Sequence, residues 1–237
     1  MSLAVAFIGT GKYLTFFDEW YSTAKKFLAA DTRRTFLVFS DGLPAPSDDV
    51  VEYLIPHEPW PYVTLKRWQT LRLAEDVIAA HKHFLYLDAD MKIDAPISYQ
   101  ELFRPDQKYT GVEHPAHWMK WGKSGWPGSF ETNPASLAAV TEDMDHGMYW
   151  QGCLWGGESA AVLKMLRILQ ARTADDLARG VIAKWHDESH LNRFFIDHKP
   201  DVFTLSSGFA YPSQIPGVLN VTPRIWHLDK NNTLYRI

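Results

Sequence analysis

The 237-residue sequence has a single cysteine, Cys153, which excludes an internal disulfide framework and fits a reducing compartment. It has no apolar run near the roughly 20 residues that a membrane-crossing helix needs. No basic segment precedes the short apolar stretch from Met1 to Thr10, so that stretch reads as a first buried strand rather than a signal peptide. On this reading the chain carries no anchor of its own and is expected in the cytoplasm. A basic excess is missing too: 24 Lys and Arg against 28 Asp and Glu give a formal net charge of -4, and without a basic run a nucleic-acid partner is excluded. There are no repeats, no low-complexity stretches and no linker, so residues 1–237 read as one domain.

Of the residues that are present, 46% are hydrophobic and 22% charged, which is ample for one large core. Ten Trp, ten Tyr and thirteen Phe make up 14% of the chain. Such rings suit the faces of sugars, although core packing is the simpler account of any single one. Leu3 to Ile8 is an apolar run closed by Gly9-Thr10-Gly11, a strand and a turn. Leu14 to Leu28 has apolar residues at helical spacing. Thr35 to Phe39 and Val50 to Ile55 read as strands, Thr64 to Ala80 as a helix, and His83 to Leu87 as another strand. Strands alternating with helices predict an α/β fold, Rossmann-like, with a mostly parallel central sheet and flanking helices. Ligands in such sheets bind beyond the carboxyl ends of the strands. The second half differs: His114 to Pro134, rich in Gly, Trp and Pro, reads as a long surface loop that could act as a lid, and Glu158 to Ala171 and Glu188 to His198 read as helices.

Asp88-Ala89-Asp90 closes the strand of residues 83–87. On extended backbone, residues i and i+2 point the same way, so both carboxylates can face one cation. Hard oxygen donors suit Mn²⁺ or Mg²⁺ and leave positions for phosphate oxygens; the bland account is a solvated acidic turn. Trp185-His186-Asp187-Glu188-Ser189-His190-Leu191-Asn192 is the second cluster. His186 and His190 stand at i and i+4, as in zinc proteases, but that motif needs Glu directly after the first His, where Asp187 stands. Asp187 and Ser189 could simply cap the helix that follows, and a partly buried carboxylate at Glu188 could act as a nucleophile or stabilise a cation. Two glycine patterns fail. Leu14 stands where a dinucleotide fingerprint needs Gly or Ala, and His117 stands where the P-loop suggested by Gly122-Lys123-Ser124 needs Gly.

Together these residues resemble glycosyltransferase family 6, that of the blood-group A and B transferases and the α-1,3-galactosyltransferases. The likeness runs in order through Gly11-Lys12-Tyr13, Thr64-Leu65-Lys66-Arg67, Asp88-Ala89-Asp90-Met91, Glu113-His114-Pro115 and Gly152-Cys153-Leu154-Trp155-Gly156-Gly157. It ends with the Trp185 to Asn192 run and His198-Lys199-Pro200, and the lack of an anchor makes the chain look like the short bacterial or viral members.

The resemblance implies a GT-A fold, in which residues 1–90 form the nucleotide-binding half and residues 91–237 the acceptor-binding half and C-terminal tail. It also implies a retaining hexosyltransferase that moves galactose or N-acetylgalactosamine from UDP-Gal or UDP-GalNAc, in α-1,3 linkage, to a galactoside-containing glycan. The acceptor would be an oligosaccharide or a lipid-linked glycan, and with the latter the protein would lie peripherally at a membrane. Carried over position by position, Ile8, Thr10 and Tyr13 would hold uracil and ribose, and Asp88 and Asp90 would bind Mn²⁺ and the diphosphate across Ala89, with Asp88 also near the ribose. Arg67 and Asp187 would hold the donor sugar. His114, Ser129 and Trp185 would line the acceptor site, and Glu188 would be the catalytic carboxylate. Lys230 and Arg236 keep the spacing of a basic tail that closes over the diphosphate. The stretch that separates galactose from N-acetylgalactosamine in relatives reads Gln151-Gly152-Cys153 here, and the Cys153 sulfur is expected to crowd an N-acetyl group, which favours galactose. Some short members carry Asn at both acidic positions and work without metal; this chain keeps both Asp, so metal dependence is expected. The rival readings are a GT-A transferase using another donor such as UDP-glucose, a catalytically silent carbohydrate-binding protein, and a zinc hydrolase.

Overall fold

The computed structural model describes residues 1–42, 47–118, 128–230 and 232–235. Strand β1 (Ser2–Ile8) lies inside a seven-stranded sheet and is buried from Leu3 onward. Its alternation sorts the core into two layers. Leu3, Val5 and Phe7 face one cluster with Trp20, while Ala4, Ala6 and Ile8 face another with Trp68.

Strands β2 (Arg33–Ser40), β3 (Val50–Leu54) and β4 (His83–Leu87) run parallel with β1. Beyond them come the short β5 (Met91–Ile93), then β6 (Tyr109–Glu113), β7 (Trp150–Glu158) and β8 (Val202–Leu205). The sheet order is β3-β2-β1-β4-β7-β6-β8, and β7 runs against both neighbours. A smaller sheet, β5-β10-β9, is completed by β9 (Tyr211–Pro212) and β10 (Ile225–His227). The mostly parallel sheet predicted from the alternation is therefore present, as a GT-A fold requires.

The first helix, α1 (Phe17–Phe27), turns Phe17, Trp20 and Ala24 inward, and Asp18 and Glu19 in its first turn and Lys25 and Lys26 in its last complement its dipole. It is entered through a 3-10 turn, Gly11–Phe16, so the predicted helix starts three residues later than its apolar spacing suggested. The single helix expected over Thr64 to Ala80 is broken into α2 (Tyr62–Leu65), α3 (Arg67–Arg72) and α4 (Glu75–Ala79). Lys66, with φ -88° and ψ 3°, leaves helical geometry and lets Arg67 open α3 as a buried residue. After α5 (Tyr99–Leu102) comes α6 (Pro115–Trp118), a turn of helix where a loop was expected. Residues 119–127 of that expected loop, with Gly122-Lys123-Ser124, lie outside the described residues.

The 20-residue α7 (Ser159–Ala178) and α8 (Asp187–Asp197) cover the face that carries Trp68 and Trp155, and α9 (Asn232–Tyr235) ends the described chain. No helix of the described residues is long and apolar enough to cross a membrane. In β7, Gly156 and Gly157 permit a close approach that no side chain could: a Cβ would lie 2.2 Å from the Phe84 carbonyl oxygen and 2.1 Å from that of Lys108, and Gly157 has φ +145°.

Trp155 is fully buried on β7, with its ring 5.4 Å from Trp68, 5.8 Å from Phe84 and 5.2 Å from Tyr86. Its indole nitrogen has no hydrogen-bond partner, so packing alone holds it. Trp155→Ala is expected to lower unfolding stability by about 3–5 kcal/mol, read as a shift in urea midpoint; a loss under about 1 kcal/mol would contradict this packing.

Candidate active site

The carboxyl ends of β1 and β4 open onto a cleft with a volume of about 120 Å³. Ile8, Thr10, Tyr13, Arg67, Asp88, Ala89, Asp90 and Lys230 line it, together with His57, Trp60, Tyr86 and Tyr235. Thr10 Oγ1 is 2.9 Å from His57 Nδ1. The Tyr13 ring packs edge-on against Tyr235 at 5.3 Å and lies 5.1 Å below the Lys230 ammonium. The C-terminal tail thus folds back against the first turn of the chain. Arg236 lies outside the described residues.

Arg67 organises the inner end. It is 8% exposed, and its guanidinium meets Asp88 at 2.9 Å and Asp187 at 2.5 Å, donates to the Gly152 carbonyl at 3.2 Å, and lies 4.5 Å from the Tyr86 ring centre. Burial opposes its charge, but Asp187, Tyr86 and Asp88 outweigh that effect and raise its pKa. Burial pushes Asp187 up to about 6 against the pull of Arg67; with the ion pair at 2.5 Å we take Asp187 as ionised at neutral pH. The Tyr86 hydroxyl donates to Asp88 at 2.6 Å and so fixes that carboxylate from a second side.

Asp90 is 1% exposed, and its Oδ2 is approached by His227 Nε2 at 3.2 Å and by the Lys230 ammonium. Burial would raise its pKa, but His227 and Lys230 hold it well below the usual carboxylate range. Asp88, Asp90 and His227 each offer one ligand atom, and these lie within 4.8 Å of one another. Two nitrogen groups already converge on one oxygen of Asp90, so the place attracts positive charge, and the donor set fits a divalent cation.

Glu188 sits on the other side of Gly152. The Gly152 N–H donates to Oε2 at 2.8 Å, and the Tyr149 hydroxyl donates to Oε1 at 2.8 Å. One residue therefore grips Arg67 by its carbonyl and Glu188 by its amide. A Cβ on Gly152 would lie 3.1 Å from the Glu188 Cβ. Glu188 and Asp187 occupy the first turn of α8, entered through His186 at φ 52° and ψ -123°, a geometry usual for Gly in a type II′ turn. The His186 ring packs edge-on against Trp60 at 4.7 Å. Burial pushes the Glu188 carboxyl up to about 7, more than the Gly152 and Tyr149 hydrogen bonds pull it down.

Beyond Glu188 lie the residues expected to face an acceptor. His114 is 9% exposed and packs edge-on against Tyr149 at 5.7 Å. Ser129 Oγ accepts from Lys184 at 2.6 Å and from the Trp185 indole at 3.3 Å. Gln151 is 7% exposed and contacts His227. Cys153 is 2% exposed and packs in the core, so the expected crowding of an N-acetyl group by its sulfur finds no support in its position.

Tyr149, His227, Tyr86, His57, Trp60 and Tyr235 were not singled out in the sequence. Tyr149 had a faint signal, standing just before the motif of the second half. His227 had none. It reaches Asp90 only because the three-residue β10 pairs with β5, which sets His227 opposite Met91.

A family model described as glycosyltransferase family 6 matches residues 1–234. The O-antigen biosynthesis glycosyltransferase WbnI of Escherichia coli is 26% identical over 222 residues, covering 90% of this chain and 89% of its own. The globoside alpha-1,3-N-acetylgalactosaminyltransferase 1 of Homo sapiens is 26% identical over 211 residues, 84% of this chain and 58% of its own. The human alpha-1,3-galactosyltransferase 2 is 31% identical over 193 residues, 78% of this chain and 53% of its own. The chain thus spans most of the bacterial relative and little more than half of the human ones.

The raised Glu188 pKa has a consequence for stability. The folded protein holds a proton there that the unfolded chain releases at about 4.5, so Glu188 costs stability increasingly as pH rises from about 4.5 to about 7. Glu188→Gln removes the charge and keeps the shape. Its melting temperature is expected to exceed that of the parent by on the order of 5 °C at pH 8 and to approach it at pH 5. A gap that did not change with pH would contradict this assignment.

Proposed function

The chain belongs to glycosyltransferase family 6, and on that premise we propose that it transfers galactose or N-acetylgalactosamine from a UDP-sugar, with retention and in α-1,3 linkage, to a galactoside-containing glycan. What supports this reading most is the meeting at Gly152, where the Arg67–Asp88–Asp187 ion pairs and the Glu188 carboxylate share one residue between them. The inner end of the cleft and a half-buried acid from a distant helix thereby share one backbone residue.

In this reading Ile8, Thr10 and Tyr13 hold the base and ribose, and Arg67 and Asp187 hold hydroxyls of the donor sugar. A divalent cation held by Asp88 and Asp90, Mn²⁺ or Mg²⁺, would neutralise charge on the diphosphate, so that no protonating acid is needed. The Glu188 carboxylate stabilises the positive charge that develops at C1 as the bond to the diphosphate breaks. The acceptor hydroxyl, steered by His114, Ser129 and Trp185, bonds to C1 and loses its proton to the departing diphosphate. Lys230 and Tyr235 close the cleft and limit hydrolysis of the donor. Burial raises the Glu188 pKa and keeps the carboxylate poorly solvated, so that it interacts strongly with the forming cation.

Glu188→Gln is expected to lower turnover by roughly 10²–10⁴-fold, measured as UDP release. Turnover within about threefold of the parent would remove Glu188 from the chemistry. Gly152→Ala is expected to displace Glu188 by a few tenths of an ångström and to reduce kcat by about 10-fold or more with a smaller change in the donor KM. A donor panel of UDP-Gal, UDP-GalNAc and UDP-glucose, offered with lactose and a fucosylated galactoside, tests the substrate class. Transfer confined to UDP-glucose, or no UDP release from any donor, would overturn the proposal, and NMR of the product reads the linkage.

A further inference from the structure

Gln151 is 7% exposed, yet its amide oxygen has no hydrogen-bond partner, while its amide nitrogen lies 3.0 Å from His227 Nδ1. A buried amide oxygen without a donor is unfavourable. Turning the terminal amide by half a rotation exchanges its oxygen and nitrogen within the same outline. The oxygen would then meet Nδ1, which must carry a hydrogen to satisfy it.

With its hydrogen on Nδ1, a neutral His227 ring presents a lone pair at Nε2, the atom 3.2 Å from Asp90 Oδ2. A lone pair facing a carboxylate oxygen is repulsive unless a cation lies between them. A hydrogen on both ring nitrogens would also satisfy each contact, and a divalent cation would take the place of that hydrogen and of the Lys230 ammonium resting on Asp90. A metal ion among Asp88, Asp90 and His227 resolves the contacts together: it uses the lone pair, draws both carboxylates and displaces Lys230 from Asp90.

We propose that His227 is a third, nitrogen ligand of the divalent cation, and that Gln151 is the positioning residue that fixes its ring through the amide oxygen. The inference rests on the reading that Asp88 and Asp90 hold a cation. It adds a chemical preference: Mg²⁺ and Ca²⁺ favour oxygen donors, whereas Mn²⁺ and the later first-row ions also take imidazole, so the site favours these over Mg²⁺ and Ca²⁺. It also gives Gln151 a task separate from contact with the donor. The neighbour of Gly152 sets the geometry of the metal, so a change made there to alter sugar selectivity would alter metal affinity as well.

The test uses the full chain with Mn²⁺ and UDP. Pulsed electron paramagnetic resonance on protein with ¹⁵N-labelled histidine is expected to show one directly bound imidazole nitrogen, and the coupling is lost in His227→Ala. By calorimetry, His227→Ala is expected to weaken Mn²⁺ binding at least about 10-fold and Mg²⁺ binding less than about threefold. Gln151→Leu, which lacks an acceptor, is expected to weaken Mn²⁺ about 10–100-fold, while Gln151→Glu, which keeps one, retains most of the affinity. Mn²⁺ bound by the unaltered protein without a histidine coupling would overturn the proposal and leave the aspartate reading standing. Failure of the unaltered protein to bind Mn²⁺ at all would overturn both. The spectroscopic measurement needs no substitution, so a poorly folding variant does not blunt it.

Discussion

The buried Arg67 guanidinium is the interaction on which the site depends. It takes Asp88 from the end of β4, Asp187 from the start of α8 and the Gly152 carbonyl from β7, three segments that nothing in the chain order brings together. A charge at 8% exposure is tolerable only when paired and hydrogen-bonded, and removing one partner would leave the others uncompensated. The break at Lys66 follows from the same requirement. A continuous helix over residues 64–80 would satisfy the apolar spacing, but the observed kink makes Arg67 the first residue of α3 and buries it against its carboxylates.

Two features on either side of that charge point to opposite electrostatic tasks. Asp90, with His227 and Lys230 against it, stays ionised far below neutrality, as suits a group that holds positive charge. Glu188, partly shielded from water and held by two hydrogen-bond donors, lies near its own titration point. Carboxylates with such different environments in one site divide their work. His186, whose positive φ is uncommon for a residue with a side chain, stands directly before the pair, of which Asp187 meets Arg67 and Glu188 meets Gly152 and Tyr149.

Much of this was legible in the amino-acid order, and the exceptions have physical causes. Strands β1, β2 and β4 are apolar runs buried on both faces and bounded by turns, and the acidic pair at the end of β4 gains its meaning from where parallel strands end. Strand β7 escaped detection because it is written with three glycines, which read as a loop until the neighbouring carbonyls that press against Gly156 and Gly157 are seen. The β6 strand beside it and β8 beyond β6 are short, and neither alternates cleanly between apolar and polar residues. His227 illustrates a deeper limit. Its place beside Asp90 is set by pairing between two three-residue strands far apart in sequence, and no local pattern encodes such a contact.

Gly152 has a lasting consequence for how this protein can change. An added methyl group would press on the Glu188 side chain at 3.1 Å, so the position cannot be used to widen or narrow the pocket without moving the acid. On the proposed reading, a change in sugar preference would have to arise at its flanks. On one side Gln151 is engaged with His227, and on the other Cys153 is sealed in the core. Replacements in this stretch therefore have few silent steps open to them, and tolerated ones should come in correlated sets.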